Sequence, residues 1–237
     1  MRLQMDKKII LFLLILIIPS MSPASIQAWE LVNESLQPAS IPAMSQQVAQ
    51  SIQTDFDGDG IMETLELHNR WAAIMSGNQM RWQSPDEWNV LEAGLGDLNH
   101  DGLVEAVLLV WRPFKPWPVD HWLPSGGRIK DFHNDKGDSC HIILIGWSRG
   151  MFRERWAGSA LAEPVKSFVL TDLTQDGKDE LITVETTYAA QPDDTANALK
   201  VWEWNGFGFS LVSSINGSFN NLMTVRAQDG RVLILAP

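Results

Sequence analysis

Asp55-Phe-Asp57-Gly-Asp59-Gly-Ile-Met-Glu63 decides the fold, because the chain repeats it twice. Asp97-Leu-Asn99-His-Asp101-Gly-Leu-Val-Glu105 and Asp172-Leu-Thr174-Gln-Asp176-Gly-Lys-Asp-Glu180 share its frame, Asp-x-(Asp/Asn/Thr)-x-Asp-Gly-x-x-Glu. Five constrained positions in register three times mark an internal repeat rather than chance. Oxygen side chains at positions 1, 3 and 5 converge only where the backbone wraps tightly, and Gly60, Gly102 and Gly177 supply the positive φ such a wrap needs. Ca²⁺, which takes six to eight oxygens at about 2.3–2.6 Å, suits that arrangement.

The expected ligands of the first loop are Asp55, Asp57, Asp59 and Glu63 with the carbonyl of Ile61. Those of the second are Asp97, Asn99, Asp101 and Glu105 with the carbonyl of Leu103. Those of the third are Asp172, Thr174, Asp176 and Glu180 with the carbonyl of Lys178. Up to three structural Ca²⁺ follow, the third loop being weakened by its neutral Thr174 and by the cation at Lys178. The competing reading of any one such loop is a plain Asp-Gly turn whose acids bond their own backbone. An EF-hand is rejected. Its closing Glu stands at position 12, where the second and third loops carry Leu108 and Thr183. The flanks Thr64–His68, Ala106–Val110 and Leu181–Glu185 also read as strands rather than helices.

The repeat extends beyond the loop. Trp71–Met75 and Gln79–Trp82 flank Ser76-Gly-Asn78; His141–Trp147 and Phe152–Trp156 flank Ser148-Arg-Gly150; Leu199–Trp204 and Phe207–Leu211 flank Asn205-Gly206. Each reads as a hairpin with one buried face, which accounts for most of the eleven Trp. Met223–Leu235 repeats the strand context around a degenerate loop, Gln228-Asp229-Gly-Arg231. The economical architecture is all-β: a small or partial β-propeller of about four repeat units. The domain occupies 51–237 with an insertion at 112–139, preceded by a linker over 29–50.

The three loops, the run Trp202-Glu-Trp-Asn-Gly-Phe-Gly-Phe209 and a spacing near 45 residues resemble the FG-GAP/VCBS repeat family, which is similar to the integrin α-subunit N-terminal propeller. The resemblance covers about 50–235. It implies that the position 1, 3, 5 and 9 side chains and the position 7 carbonyl are calcium ligands bracing each blade. It departs in number, since such propellers commonly have seven blades.

Arg2, Lys7 and Lys8 precede an apolar run from Ile9 to Ile18, then small residues around Ser22-Pro23-Ala24 and Ala28. This reads as a secretory signal peptide over 1–28, with an uncleaved anchor as the alternative. A secreted protein with no membrane span after cleavage is expected. The formal charge of −11 argues against a nucleic-acid partner, and ten of the 29 acids are loop ligands. The single Cys forbids an internal disulfide, so stability must come from packing, metal, or both.

No catalytic residue is assigned. Gly146-Trp-Ser148-Arg-Gly150 matches a nucleophile elbow, yet all five His precede Ser148, so no downstream base follows, and the segment reads as a hairpin turn. Cys140 reads as a small buried thiol, and His121 and His133 as loop histidines. The Pro-stiffened insertion offers Trp117 and Trp122 as contacts for a sugar or peptide, or as a plug for an open propeller end. The leading expectation is a secreted, non-catalytic, calcium-stabilised binding or adhesion domain whose partner is an extracellular protein or glycan. The alternatives are a carbohydrate-active enzyme or its accessory module, and a subunit that completes its propeller with another chain.

Overall fold

Alternating or wholly apolar runs of five to eleven residues, separated by Gly, Asn and Asp, leave the chain nothing but strands and turns to form. The computed structural model describes residues 26–42, 45–48, 51–116, 122, 131–191 and 193–237. Residues 1–25 of the expected signal peptide, Trp117 and His121 lie outside them. Among the described residues no helix is long and apolar enough to cross a membrane.

Seventeen strands make four antiparallel sheets, arranged as a four-bladed β-propeller. Blade 1 is β4 (Gln53–Thr54), β5 (Glu63–His68), β6 (Trp71–Ser76) and β7 (Gln79–Gln83). Blade 2 is β8 (Asn89–Gly96), β9 (Glu105–Pro113), β10 (Asp138–Ser148) and β11 (Met151–Ala157). Blade 3 is β12 (Val165–Thr171), β13 (Glu180–Glu185), β14 (Ala196–Trp204) and β15 (Phe209–Phe219). The three expected hairpins are therefore the third and fourth strands of these blades. Ser148-Arg149-Gly150 is such a turn, with φ of 53° at Arg149 and 80° at Gly150, the pair of left-handed residues a tight hairpin requires.

The fourth blade corrects the sequence reading. Residues 29–50, expected to be a linker, contribute strands to it. β1 (Gln27–Val32), β2 (Ser35–Ala39) and β3 (Ser45–Gln47) join β16 (Met223–Ala227) and β17 (Val232–Ala236) in the order β2-β1-β17-β16-β3. Gln27, Ala28 and Trp29 pair with Ala236, Leu235 and Ile234. The blade is thus closed by both ends of the chain. The physical reason is that pairing with β16 alone leaves the other edge of β17 bare. Its free edge and apolar side chains are satisfied by the segment just upstream of blade 1. The boundary expected after Ala28 falls inside β1, where Ala28 is buried.

Cores form between blades. Phe56, Leu65 and Ile74 of blade 1 meet Leu108, Ile143 and Phe152 of blade 2. Leu109 and Leu144 of blade 2 meet Phe168 and Leu181 of blade 3. Ile182, Val201 and Phe219 of blade 3 meet Leu36, Val232 and Ile234 of blade 4. Each fully buried Leu, Ile or Phe contributes about 1.5–3 kcal/mol, so these seams rather than any one sheet hold the ring. Cys140 is buried as expected, its thiol pushed up to about 12 by burial.

His141 is buried and fully bonded as the neutral ring: one nitrogen faces the Gly158 carbonyl at 3.0 Å, the other the Ser139 hydroxyl at 2.7 Å. Burial, together with the nearby Arg112, pushes its pKa down to about 4.

Two outcomes follow from this packing. Deleting residues 26–40 leaves β17 with a bare edge, and circular-dichroism melts should show a melting temperature lower by about 10 °C or more, or no cooperative transition. Because the unfolded His141 takes a proton near pH 6.5 and the folded one only near pH 4, stability falls as pH drops through that window. The loss is up to about 3 kcal/mol at about 1.4 kcal/mol per pH unit. Urea titrations of His141→Gln between pH 7 and 4 should show a flatter acid limb than wild type.

Candidate metal centre

The loops join the first and second strands of blades 1 to 3, and all three fold alike because the same side chains bond the same backbone groups. Position 1 caps the turn with both oxygens. Asp55 Oδ1 accepts from Gly58 N (2.8 Å) and its Oδ2 from Gly60 N (2.9 Å). Asp97 Oδ2 accepts from Gly102 N at 2.8 Å, and Asp172 Oδ2 from Gly177 N at 2.9 Å. Position 5 holds the next amide: Asp59 accepts from Ile61 N at 2.7 Å, Asp101 from Leu103 N and Asp176 from Lys178 N, both at 3.0 Å. Gly60, Gly102 and Gly177 take φ of 84–86°, where a β-carbon is strained.

Position 9 is the buried member. Glu63, Glu105 and Glu180 open the second strands and are 0, 1 and 4% exposed. Glu63 Oε2 accepts from Phe56 N at 3.0 Å and Glu180 Oε2 from Leu173 N at 2.7 Å; Glu105 Oε1 accepts from Asn99 Nδ2 at 2.6 Å. The other oxygens of two of them, Glu63 Oε1 and Glu105 Oε2, are buried with no hydrogen-bond partner. A buried carboxylate oxygen without a partner is costly unless a cation meets it. Burial and the charges of Asp101 and Asp97 push the Glu105 pKa up to about 8. Burial, with Asp172 and Asp176, pushes Glu180 up to about 7.

Asp55, Asp57 and Glu63 bring three carboxylate oxygens within 4.8 Å of one another, the one such cluster among the described residues. Two oxygens that share an ion at about 2.4 Å lie at most about 4.8 Å apart, so this triad can hold a metal. Asp59 belongs to the turn and is not in that cluster. The second and third loops, with Asn99 and Thr174 at position 3, do not gather three carboxylates as closely. Ile61, Leu103 and Lys178 turn their side chains to solvent.

Sequence reading missed two neighbours of the loops. Arg81 on β7 places Nη2 3.2 Å from Asp57 Oδ2 and Nη1 4.0 Å from Glu63 Oε1. Arg155 on β11 places Nη2 2.7 Å from Asp101 Oδ2. The signal was present as a repeated Arg-Trp pair, Arg81-Trp82 and Arg155-Trp156, in the last strand of each hairpin. Of the insertion residues, Trp122 is 85% exposed, and His133 bonds the Asn134 carbonyl at 2.8 Å.

The first-to-second and third-to-fourth turns of an antiparallel blade share one end, and the second-to-third turn lies at the other. The acidic loops therefore occupy one end of the propeller and the insertion between β9 and β10 the opposite one. A cavity of about 460 Å³ lies between blades 2 and 3, lined by Trp156, Trp202, Phe209, Glu185 and Lys200. Its polar groups satisfy one another: Glu185 accepts from Thr183, Trp202 and Lys200.

No family model matches the chain, and neither a curated protein nor a solved structure matches it significantly.

Glu105→Gln separates the carboxyl's two roles. In chelator the amide replaces an acid already pushed toward its neutral form, so the melting temperature should stay within about 3 °C of wild type or rise. With a divalent metal added, the variant should gain less stability than wild type, read by the same thermal melts.

Proposed function

We propose that this chain is an exported, non-catalytic β-propeller of the FG-GAP/VCBS type, braced by structural Ca²⁺ and serving as a binding or adhesion scaffold. The observation that carries the metal reading is the pair of partnerless buried oxygens, Glu63 Oε1 and Glu105 Oε2, at the roots of two acidic loops. Their donor chemistry is all oxygen, with no His or Cys at positions 1, 3, 5 or 9 of the loops, which suits a hard cation rather than zinc or copper. The first loop, with four carboxylates, is the strongest of the three. Extracellular modules of this ligand type bind calcium at about 10⁻⁴–10⁻³ M, a range matched to an exported protein. A signal-peptide cut after Ala24 leaves β1 whole, whereas one after Ala28 removes two residues paired with β17.

The binding role is supported by the end of the propeller opposite the metal loops. There a cavity of about 620 Å³ is lined by Arg70, Asn89 and Trp111, by Asn134 and Lys136 at the close of the insertion, and by Tyr188. Long loops on a rigid scaffold are where partners usually dock. Asn89 Oδ1 is buried without a partner beside this cavity, an acceptor suited to a polar ligand such as a glycan or peptide.

The test is thermal. Chelation with EGTA should lower the melting temperature, and Ca²⁺ at 100 times its dissociation constant should restore about 2.7 kcal/mol per site, or roughly 5–11 °C for a domain of this size. Asp55→Asn combined with Asp57→Asn should abolish the first site's share. Identical melts in EGTA and in 10 mM calcium would overturn the reading.

A further inference from the structure

Three blades carry a β-bulge in the fourth strand, at the same place. In blade 1 Ile74 pairs with Trp82 and Met75 with Met80, which leaves Arg81 as the extra residue. In blade 2 Leu144 pairs with Trp156 and Ile145 with Glu154, which leaves Arg155. In blade 3 Val201 pairs with Ser213 and Trp202 with Leu211, which leaves Val212. A bulge re-aims the residue it adds. Here it turns that residue toward the blade's own acidic loop: Arg81 to Asp57 and Glu63, Arg155 to Asp101, and Val212 to the third loop.

The neighbouring third strand is cut to fit. A β-carbon on Gly146 would lie 2.9 Å from Arg155 Cγ and 3.2 Å from Glu105 Cγ, closer than such atoms approach. Gly146, in the segment that mimics a nucleophile elbow, is what lets the guanidinium stem pass over Glu105. Blade 3 has no such arrangement. Glu203 and Val212 instead border a cavity of about 470 Å³ together with Thr174, Asp176 and Glu180.

The two guanidinium groups occupy oxygens that a metal ion needs. Asp57 Oδ1 accepts from Asp59 N at 3.3 Å and its Oδ2 from Arg81, so both oxygens of this ligand are engaged. Asp101 likewise spends Oδ1 on Leu103 N and Oδ2 on Arg155. Yet neither arginine satisfies the buried position-9 oxygen, for Arg81 Nη1 stops 4.0 Å short of Glu63 Oε1 and Glu105 Oε2 has no partner. A single positive charge held off the deepest oxygen is a weaker occupant than a dication seated on it. Arg81 is held from a second side at the same time, since its guanidinium carbon lies 5.2 Å from the centre of the Trp147 ring on β10, within cation–π range.

We infer that Arg81 and Arg155 are exchangeable internal counter-cations of the first two loops, displaced from Asp57 and Asp101 when a divalent ion enters. The third loop, with Val212 in the same bulge, has no guanidinium to displace, its nearest cation being the exposed Lys178 ammonium 3.9 Å from Asp176. The inference rests on the calcium reading of the loops and adds what sets their relative affinities. Without metal the arginines hold the carboxylates together and the fold stays closed. With metal they leave, and the guanidinium of Arg81 keeps Trp147 as its remaining neighbour while it gives up Asp57. The bulge residue, and not the carboxylate count alone, then ranks the three sites.

The test uses the full chain, stripped with EGTA and titrated with calcium chloride by calorimetry, with tryptophan fluorescence followed in parallel. Arg81→Gln and Arg155→Gln should each tighten one site by about tenfold, the scale of one partly buried charge-assisted bond, and each should lower the melting temperature in EGTA. Val212→Arg should weaken the third site by a similar factor. Part of the calcium-induced fluorescence change should vanish in both Arg81→Gln and Trp147→Phe. Unchanged or weaker calcium binding in the two arginine variants overturns the exchange and makes the guanidinium groups fixed parts of the site. Should Arg81→Gln fail to fold in EGTA, Val212→Arg still decides, because an unaltered third site contradicts the inference. A wild-type chain that takes up no calcium brings down the reading of the loops along with it, whereas calcium uptake that these variants leave untouched brings down the exchange alone.

Discussion

A glutamate is buried at the start of the second strand in three of the four blades, and the rest of the structure is arranged around its charge. Glu63, Glu105 and Glu180 sit where the sheet begins, at 0, 1 and 4% exposure, a place where a lone carboxylate is strongly disfavoured. The loop above each one wraps so that its amides serve position 1 and position 5, as Gly60 N and Ile61 N serve Asp55 and Asp59. Those capped acids are then held near the buried one. This gathers negative charge rather than dispersing it, and burial first, with those neighbouring acids adding to it, pushes Glu105 and Glu180 up to about 8 and about 7. Positive charge must answer. The fold supplies it from the side, through Arg81 and Arg155 on bulged fourth strands, and leaves the innermost oxygen open.

The blades themselves depend on the same residues. Phe56, next to position 1 of the first loop, donates its amide to Glu63 and packs its ring edge-on to Phe152 of blade 2 at 5.3 Å. Leu173 repeats this in blade 3, donating to Glu180 while packing with Ile182 and Val232. Loop closure and blade-to-blade packing are therefore one event. A loop that opens withdraws a core residue from the neighbouring seam, which couples the order of the acidic loops to the stability of the ring.

Much of this was legible in the chain. Asp-x-x-x-Asp-Gly with a Glu four residues after position 5 is a local pattern: every group involved lies within nine residues, and the hairpins that follow are local as well. The fourth blade was not legible, because its strands are separated by almost the whole sequence. Trp29-Glu30-Leu-Val-Asn33 does echo Trp202-Glu203-Trp-Asn205, and both are third strands running into a turn. The echo is masked by Pro38 and Pro42, by many small polar residues and by the missing loop, so the segment reads as a linker. The arginines were missed for a different reason. A bulge shifts register by one residue, and period-2 reading assigns Arg81 and Arg155 to solvent when the extra residue in fact turns them onto the loops.

The two chain ends meeting in one sheet have a consequence for what the molecule can do. Gln27–Trp29 pairing with Ile234–Ala236 joins the two halves of the fourth blade into one sheet, at the cost of a contact between residues far apart in sequence. Until it forms, β17 is a bare apolar edge. Blades 1 to 3 are each completed by local strands, whereas the fourth draws on the N-terminal segment; its own loop is shortened to a turn in which Ala227 N donates to the Arg231 carbonyl at 2.9 Å. Arg231 there pairs with Glu30 of β1 and with Asp229, both at 2.8 Å. The fourth blade thus has, in place of the acidic loop, an ion pair between its C-terminal and N-terminal halves. The same end of the propeller that gathers negative charge in three blades pairs opposite charges across the sheet in the last. The opposite end, with the insertion and the larger cavity, is left free of that task.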